Sequence, residues 1–182
     1  LEFRRVLFRS LVFNVGDSRA YLVSEGEFAQ ISVDHSVVQE MIDAGRITPQ
    51  EAGTHPERNV ITRAVDNGSI PEADYWLLPL ASADRLLLCS DGLTGEVSEP
   101  EVQRLLSAAA EPQIIAQELV QSALRGGGRD NITVIVVEAR EQLPGENIAD
   151  HEVLESDELQ LRWAHDYDGP TVPRHQAGAL RG

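Results

Sequence analysis

The chain has 182 residues, a hydrophobic fraction of 42% and a formal net charge of −15. This length suits one domain of ordinary size with a buried core and a tail. The acidic balance disfavours nucleic acid as a partner, because binding to a phosphate backbone normally requires clustered positive charge, and no apolar run is long enough to predict a membrane span.

The cysteine content limits which cellular compartment and which thiol chemistry the sequence can indicate. Cys89 is the single cysteine, so an internal disulfide is excluded, no oxidising compartment is required, and we expect the protein in the cytoplasm. Cys89 also lies in a predicted strand without basic neighbours. This setting favours a core residue over a reactive thiol.

The two ends of the chain differ from its middle. Met41 is the only methionine, from which we expect the chain to be a fragment without its upstream sequence. We interpret residues 1–10, "LEFRRVLFRS", as a non-native joining segment, and an amphipathic strand is the competing interpretation. Residues 141–182 are acidic and lack periodicity, which predicts a disordered tail. Such a tail would also suit a linker to a membrane anchor beyond residue 182.

The first half of the chain is dominated by strand patterns. "LVFNV" predicts a strand from Leu11, "GDSR" a turn, and "AYLVSEGEFAQIS" two strands joined across "SEG", which together favour a β-meander. Ser36 is placed to cap a short helix through "VVQEMIDAG". Residues 47–59 are polar and predict an excursion from the sheet, after which "NVITRAV" predicts a further strand.

Strands and helices alternate in the second half. "YWLLPL" and "RLLLCS" predict two strands, and the second ends at Asp91. Ser98 and Glu101 have capping-box spacing before one helical pattern, and a second helix begins near Pro112 and ends at residues 126–128, "GGG". "ITVIVV" predicts a buried strand. This order predicts an α+β fold in which helices cover an antiparallel sheet.

Three aspartates, Asp17, Asp91 and Asp130, share one context at a strand end beside glycine. Mg²⁺ and Mn²⁺ prefer carboxylate oxygens, so three such turns at one sheet edge could form a metal site. Ordinary turns are the competing interpretation, because aspartate and glycine are common turn residues. No His/Cys cluster suggests zinc, and we interpret His35 and His55 as loop or packing residues.

Five motifs occur in a fixed order: "VGDSRAYL", "VDHS", "ITRAV", "LLLCSDGLTGEVS" and "GGGRDNITVIVV". Together they resemble the type 2C (PPM) metal-dependent protein serine/threonine phosphatases, and in particular the bacterial branch that opposes Hanks-type kinases. The resemblance covers about residues 11–139. It implies two packed antiparallel β-sheets flanked by helices, and metal-dependent hydrolysis of phosphoserine and phosphothreonine in substrates of a Hanks-type kinase.

The resemblance also implies roles for individual residues. Asp91 and Asp130 match ligands of the second ion in a dinuclear Mn²⁺/Mg²⁺ centre, and Asp17 matches a ligand of a third ion shared with Asp91. Asn131 matches the residue that supports Asp130. Two further residues, which flank Asp91, are expected to support its turn: Ser90 and Gly92.

The family pattern sets expectations for domain organisation. Residues 11–140 would be the carboxy-terminal portion of the phosphatase domain, with a variable flap at about 35–60 (His35 to Asn59) that contacts substrate. The family's bridging aspartate, in a "D-G-x-G-G" stretch, and its phosphate-binding arginine have no counterpart in residues 1–182. We therefore expect a domain that is incomplete at its amino terminus and almost inactive by itself.

Two alternatives belong to other functional classes. One is a non-catalytic module that keeps the phosphatase fold and binds a partner. Retention of Asp17, Asp91, Asp130 and Asn131 favours the enzyme over this module, because partner binding needs no such set. The other alternative is a two-metal nuclease, since clustered carboxylates serve both chemistries. The acidic balance disfavours it.

Overall fold

The structure, a computed structural model, describes residues 6–65 and 72–141. Within these residues six strands and five helices follow one another: β1 (Val6–Asn14), β2 (Arg19–Ser24), β3 (Glu27–Gln30), α1 (Val37–Asp43), α2 (Pro49–Ala52), β4 (Asp74–Ala81), β5 (Arg85–Cys89), α3 (Asp91–Thr94), α4 (Glu99–Leu106), α5 (Pro112–Gly126) and β6 (Val134–Glu138). The strands form two antiparallel sheets with helices beside them, which confirms the predicted α+β class.

The larger sheet has four strands in the order β3-β2-β5-β6 and lies in the middle of the fold. Successive side chains of a strand point to opposite faces, and β2 illustrates the result. Tyr21 and Val23 belong to one buried cluster together with residues of α4 and α5. Ala20 belongs to a second cluster with Val12 and Trp76 of the other sheet. The larger sheet is therefore covered by helices on one face and by β1 and β4 on the other.

The helical side of this sheet forms the larger core. Leu87 of β5, Leu106 of α4 and Leu119 of α5 are all completely buried in it. Burying a leucine side chain stabilises a fold by about 1.5–3 kcal/mol, so this cluster anchors β5 firmly. The turn that carries Asp91 follows β5 directly, so the buried cluster also fixes the start of this turn.

The predicted β-meander is wrong for the first strand. β1 pairs with β4, with Asn14 opposite Asp74, whereas β2 pairs with β3 and β5. The chain changes sheet at Gly16, whose φ is 106°. Packing explains the difference, because Val12 of β1 is buried against the face of the larger sheet and β1 therefore cannot share its hydrogen-bond ladder.

The segment that we interpreted as non-native overlaps β1. Residues 6–10 have strand structure, and the interpretation of residues 1–10 as non-native stays a prediction. Residues 1–5 lie outside the described residues. The predicted disordered tail, apart from residue 141, also lies outside them.

One strand prediction is wrong, and a second is confirmed as a strand but not as a buried one. "NVITRAV" forms one isolated bridge, between Ser36 and Ile61, and Ile61 and Val65 are exposed. β6 was predicted to be buried, but Ile135 and Val137 on one of its faces are 51% and 42% exposed. β6 is an edge strand, and only its other face contacts the helical core.

Helix termini agree with the sequence in two cases of three. The Ser36 side chain accepts a hydrogen bond from the Gln39 N–H at the start of α1, as predicted. The last helix, α5, ends at the glycines as predicted. The predicted capping box at Ser98 is not formed, because Ser98 makes no side-chain cap bond and Glu101 instead binds Arg104 at 2.7 Å.

Among the described residues, no helix combines the length and apolarity that crossing a membrane requires.

Candidate metal centre

The turn that carries Asp17 joins β1 to β2 and is held at Gly16. The Gly16 N–H donates to Nδ1 of His35 at 3.1 Å, and the Gly16 carbonyl accepts from the His35 N–H at 2.9 Å. The Asn14 amide also donates to the Gly16 carbonyl, at 3.2 Å. Three hydrogen bonds therefore fix the residue that precedes Asp17.

A second set of hydrogen bonds lies on the other side of the same turn. Arg19 donates to both carboxylate oxygens of Asp34, through Nε at 2.9 and 3.0 Å and through Nη2 at 2.6 Å. Charge-assisted pairs of this bidentate kind are both strong and directional. The motifs "GDSR" and "VDHS" are therefore joined to each other, and Asp17 lies between the hydrogen bonds of Gly16 and the Arg19–Asp34 pair.

Asp91 is placed by a four-residue helix, α3, that starts as soon as β5 ends. Leu93 of this helix is completely buried, whereas Asp91 is exposed. Gly92 is buried against the segment 130–131, where a Cβ atom would lie 2.3 Å from the Asn131 carbonyl oxygen. Only glycine permits this approach of two backbones.

Ser90 binds the turn of Asp91 to the turn of Asp130. The Ser90 N–H donates to the Thr133 carbonyl at 3.1 Å, and the Thr133 N–H donates to Ser90 Oγ at 3.0 Å. Ser90 Oγ donates in turn to the Asn131 carbonyl at 3.1 Å. Asp130 itself is exposed, and its carboxylate accepts from the Asn131 N–H at 2.7 Å.

The electrostatics link Asp17 to Asp91. Partial burial raises the pKa of Asp17 above its usual value, and repulsion from the Asp91 carboxylate raises it further. Two carboxylates that repel each other in a partly desolvated place favour a cation between them. Hard divalent ions with oxygen ligands fit this donor set.

The structure thus brings together the predicted residues in two ways. Asp17 and Asp91 interact through their charges, and the turns of Asp91 and Asp130 are in backbone contact through Gly92. Across residues 6–65 and 72–141, no three His, Cys, Asp or Glu side chains are arranged closely enough to hold a metal ion. Ser90 and Gly92 make the contacts between turns, and Asn131 takes part through its backbone.

Beside this site lies an open groove of about 350 Å³ between the two sheets. Ser18 and Ser90, the sequence neighbours of Asp17 and Asp91, line its polar side. Phe13 and Ile135 line its apolar side, and both are more than half exposed, at 53% and 51%.

His35 is the site residue that the sequence interpretation undervalued. It is 6% exposed and contacts the turn of Asp17 directly, so packing describes only part of its role. Its position beside Asp34 in "VDHS" was the available signal. His55 differs, because its ring accepts only a local hydrogen bond from the Glu57 N–H among the contacts of the described residues.

Cys89 is buried, and burial raises the pKa of its thiol to about 11. A thiol with such a pKa is almost completely protonated at neutral pH and is a poor nucleophile. This agrees with the interpretation of Cys89 as a core residue.

Known proteins resemble the chain in both sequence and structure, although no family model matches it. The serine/threonine protein phosphatase PstP of Mycobacterium tuberculosis strain H37Rv is 43% identical over 127 residues, which are 69% of this chain and 24% of that protein. The serine/threonine phosphatase Stp of Listeria monocytogenes strain EGD-e is 39% identical over 128 residues, which are 70% of this chain and 51% of that protein.

A solved structure resembles the fold. It is the catalytic domain of the serine/threonine protein phosphatase PstP in complex with two manganese ions, with a TM-score of 0.66 and 39% identity, and the match covers 73% of this chain and 54% of that one. The chain therefore spans about half the length of this catalytic domain and of Stp, and about a quarter of PstP.

Proposed function

Because the chain belongs to the bacterial branch of the type 2C (PPM) serine/threonine phosphatases, we propose that it supplies Asp17, Asp91 and Asp130 to a centre of two or three Mn²⁺ or Mg²⁺ ions. This centre hydrolyses phosphoserine and phosphothreonine in proteins. The observation that carries the proposal is the contact of Gly92 with the Asn131 backbone, which joins two of the three aspartate turns.

Bound ions of this kind would activate a water for in-line attack on phosphorus and neutralise charge on the transferring group. The chain's own residues create the place for them. Asp17 and Asp91 concentrate negative charge, and Ser90 and Gly92 hold the Asp130 turn against the Asp91 turn. Cys89 is buried, which supports a mechanism without a covalent phospho-enzyme.

The proposal extends to domain organisation and partners. Residues 11–140 would be the carboxy-terminal portion of the phosphatase domain, and the flap at about 35–60 would contact the phosphoprotein. We propose substrates of a Hanks-type kinase in the cytoplasm. The manganese ions of the PstP catalytic domain support Mn²⁺ as the first ion to test.

The 182 residues alone should have almost no phosphatase activity, because the sequence contains no "D-G-x-G-G" stretch for a bridging aspartate. The assay is hydrolysis of p-nitrophenyl phosphate by the purified chain with excess Mn²⁺. We expect a rate close to that of buffer with Mn²⁺. Robust turnover would contradict the account of the missing ligands.

Metal binding tests the proposed site more directly. In calorimetric titrations with Mn²⁺, Asp91→Asn should lower the affinity at least about 10-fold, since it removes a charged ligand and the loss of a residue that only orients a ligand already costs about this much. The control is Asp43→Asn, at an exposed carboxylate on α1 that binds Gln39, and it should leave the affinity unchanged. Equal affinities for Asp91→Asn and the unmodified chain would contradict the proposal and favour a non-catalytic module.

A further inference from the structure

The ring of His35 lies between the Asp17 turn and the base of the flap, and both of its nitrogens are engaged. Nδ1 accepts from the Gly16 N–H at 3.1 Å, and Nε2 lies 3.1 Å from Oδ2 of Asp74. Arg63 Nη1 lies 3.2 Å from the same Nε2 and donates to Oδ1 of Asp74 at 3.1 Å.

These partners select one tautomer of His35. Nδ1 faces the Gly16 N–H donor, so it must present its lone pair and carry no proton. The proton of the ring is then on Nε2, where the Asp74 carboxylate accepts it. A guanidinium only donates, and so does a protonated Nε2, so the 3.2 Å contact between Arg63 and Nε2 is not a hydrogen bond in this tautomer. Arg63 acts on the ring through Asp74, whose other oxygen it holds.

The backbone of His35 connects the same turn to both ends of the flap. Its N–H donates to the Gly16 carbonyl at 2.9 Å, and its carbonyl accepts from the Thr62 N–H at 2.8 Å. The next residue, Ser36, forms the isolated bridge with Ile61. One residue thus contacts both Thr62, just after the flap, and the turn that carries Asp17.

We propose that His35 is a positioning residue that fixes the Asp17 turn for metal binding and couples this turn to the flap, through the tautomer with its proton on Nε2. The inference rests on the proposed function in one respect, since it takes Asp17 as a metal ligand. The motif interpretation treated His35 only as a loop or packing residue, whereas here its Nε2 proton and its Nδ1 lone pair both have a role. Asp74 and Arg63 orient the ring from the side away from Asp17.

The tautomer can be measured without any metal. Nitrogen-15 NMR of the full chain should show Nδ1 of His35 as an unprotonated acceptor and Nε2 as the protonated nitrogen. The Gly16 amide proton should be shifted downfield by its bond to the ring. A protonated Nδ1 would overturn the proposal.

Two substitutions separate positioning from general support of the fold. In His35→Asn the amide oxygen can replace Nδ1, whereas in His35→Gln the longer side chain places its polar atoms near the position of Nε2. We expect His35→Asn to keep the Gly16 amide shift and the Mn²⁺ affinity. His35→Gln should lose the shift and at least about 10-fold in Mn²⁺ affinity, the usual effect of losing a residue that orients a ligand.

Equal losses of Mn²⁺ affinity in the two variants, or losses proportional to their losses of stability, would overturn the proposal. If either variant fails to fold, Asp74→Asn replaces the pair, because Asp74 is half-exposed and asparagine keeps its shape. It should bring a second tautomer into the His35 spectrum and weaken the Gly16 shift. An unchanged spectrum would count against the proposal.

The two proposals can fail separately. If the unmodified chain binds no Mn²⁺, the proposed function fails. The positioning role is then decided by the Gly16 and Asp17 amide shifts alone, which should change in His35→Gln and persist in His35→Asn. If Mn²⁺ binds and both variants keep these shifts, only the positioning role fails.

Discussion

The carboxylates of Asp17 and Asp91 lie close enough for Asp91 to raise the pKa of Asp17, although the two residues belong to turns at the ends of different strands. Burial raises this pKa as well. The folded protein therefore holds an unfavourable charge at Asp17 at neutral pH, in the place where the proposed function requires a cation. A cost of this kind is typical of sites selected for binding rather than for stability.

Asp17→Asn should therefore stabilise the metal-free protein at neutral pH. We expect a gain of at most about 1 kcal/mol, because Asp17 is partly exposed and solvent screens its charge. The folded pKa lies above the ordinary value of 3.8, so the charge penalty is absent below pH 3.8 and develops as the pH rises through the folded pKa.

Urea unfolding across this pH range measures the gain. The difference between variant and parent should disappear in acid. Added Mn²⁺ should stabilise the parent more than the variant, since only the parent has the ligand. A gain that is independent of pH would contradict the assignment of the repulsion.

Gly92→Ala should destabilise the protein by about 1–3 kcal/mol and displace the Asp130 turn, because the added Cβ would lie 2.3 Å from a backbone oxygen. The matched control is Gly53→Ala. There the nearest atom is 3.8 Å from the new Cβ and φ is −61°, so the effect should stay within about 0.5 kcal/mol.

Thermal unfolding compares the two glycine variants, and amide shifts of residues 130–132 report on the turn. Equal stabilities for both variants would show that the contact between Gly92 and Asn131 is looser than the structure describes.

Arg85→Ala should cost about 2–3 kcal/mol, because Arg85 satisfies several partly buried acceptors. Its guanidinium donates to Glu138 at 2.7 Å and to the carbonyls of Leu106, Ala108 and Ala110 after α4. Arg104→Ala is the control. Arg104 also pairs with a glutamate at 2.7 Å, but on the exposed surface of α4, where solvent screens the pair, so its loss should be clearly smaller than that of Arg85.

Denaturant unfolding of both arginine variants checks this difference. A loss of about 1 kcal/mol or less in Arg85→Ala would contradict the structural role assigned to Arg85.

Local chemistry in the sequence predicted much of this structure. The Ser36 cap, the hairpin across "SEG" and the end of α5 at its glycines depend on neighbours in the chain, and all three are present. Long-range partners explain the errors. Which sheet accepts β1 depends on the packing of Val12 against another strand, and no turn residue encodes that choice.

In the candidate site, too, local patterns were predictable and long-range contacts were not. Asp17, Asp91 and Asp130 could be proposed from turn patterns and resemblance, whereas the role of His35 depends on Gly16 and Asp74, which are distant in sequence. Glu101 illustrates competition between partners: its spacing fits a capping box, but Arg104 takes its carboxylate.

In the proposed centre, three separate turns share one pocket for divalent ions. Paramagnetic Mn²⁺ tests it, because the ion broadens NMR signals of nearby nuclei. At substoichiometric Mn²⁺, the amide signals of residues 16–18, 90–92 and 130–132 should broaden together, while those of α2 at 49–52 should stay sharp. Broadening confined to one of the three turns, or spread evenly over exposed acidic residues, would contradict the account.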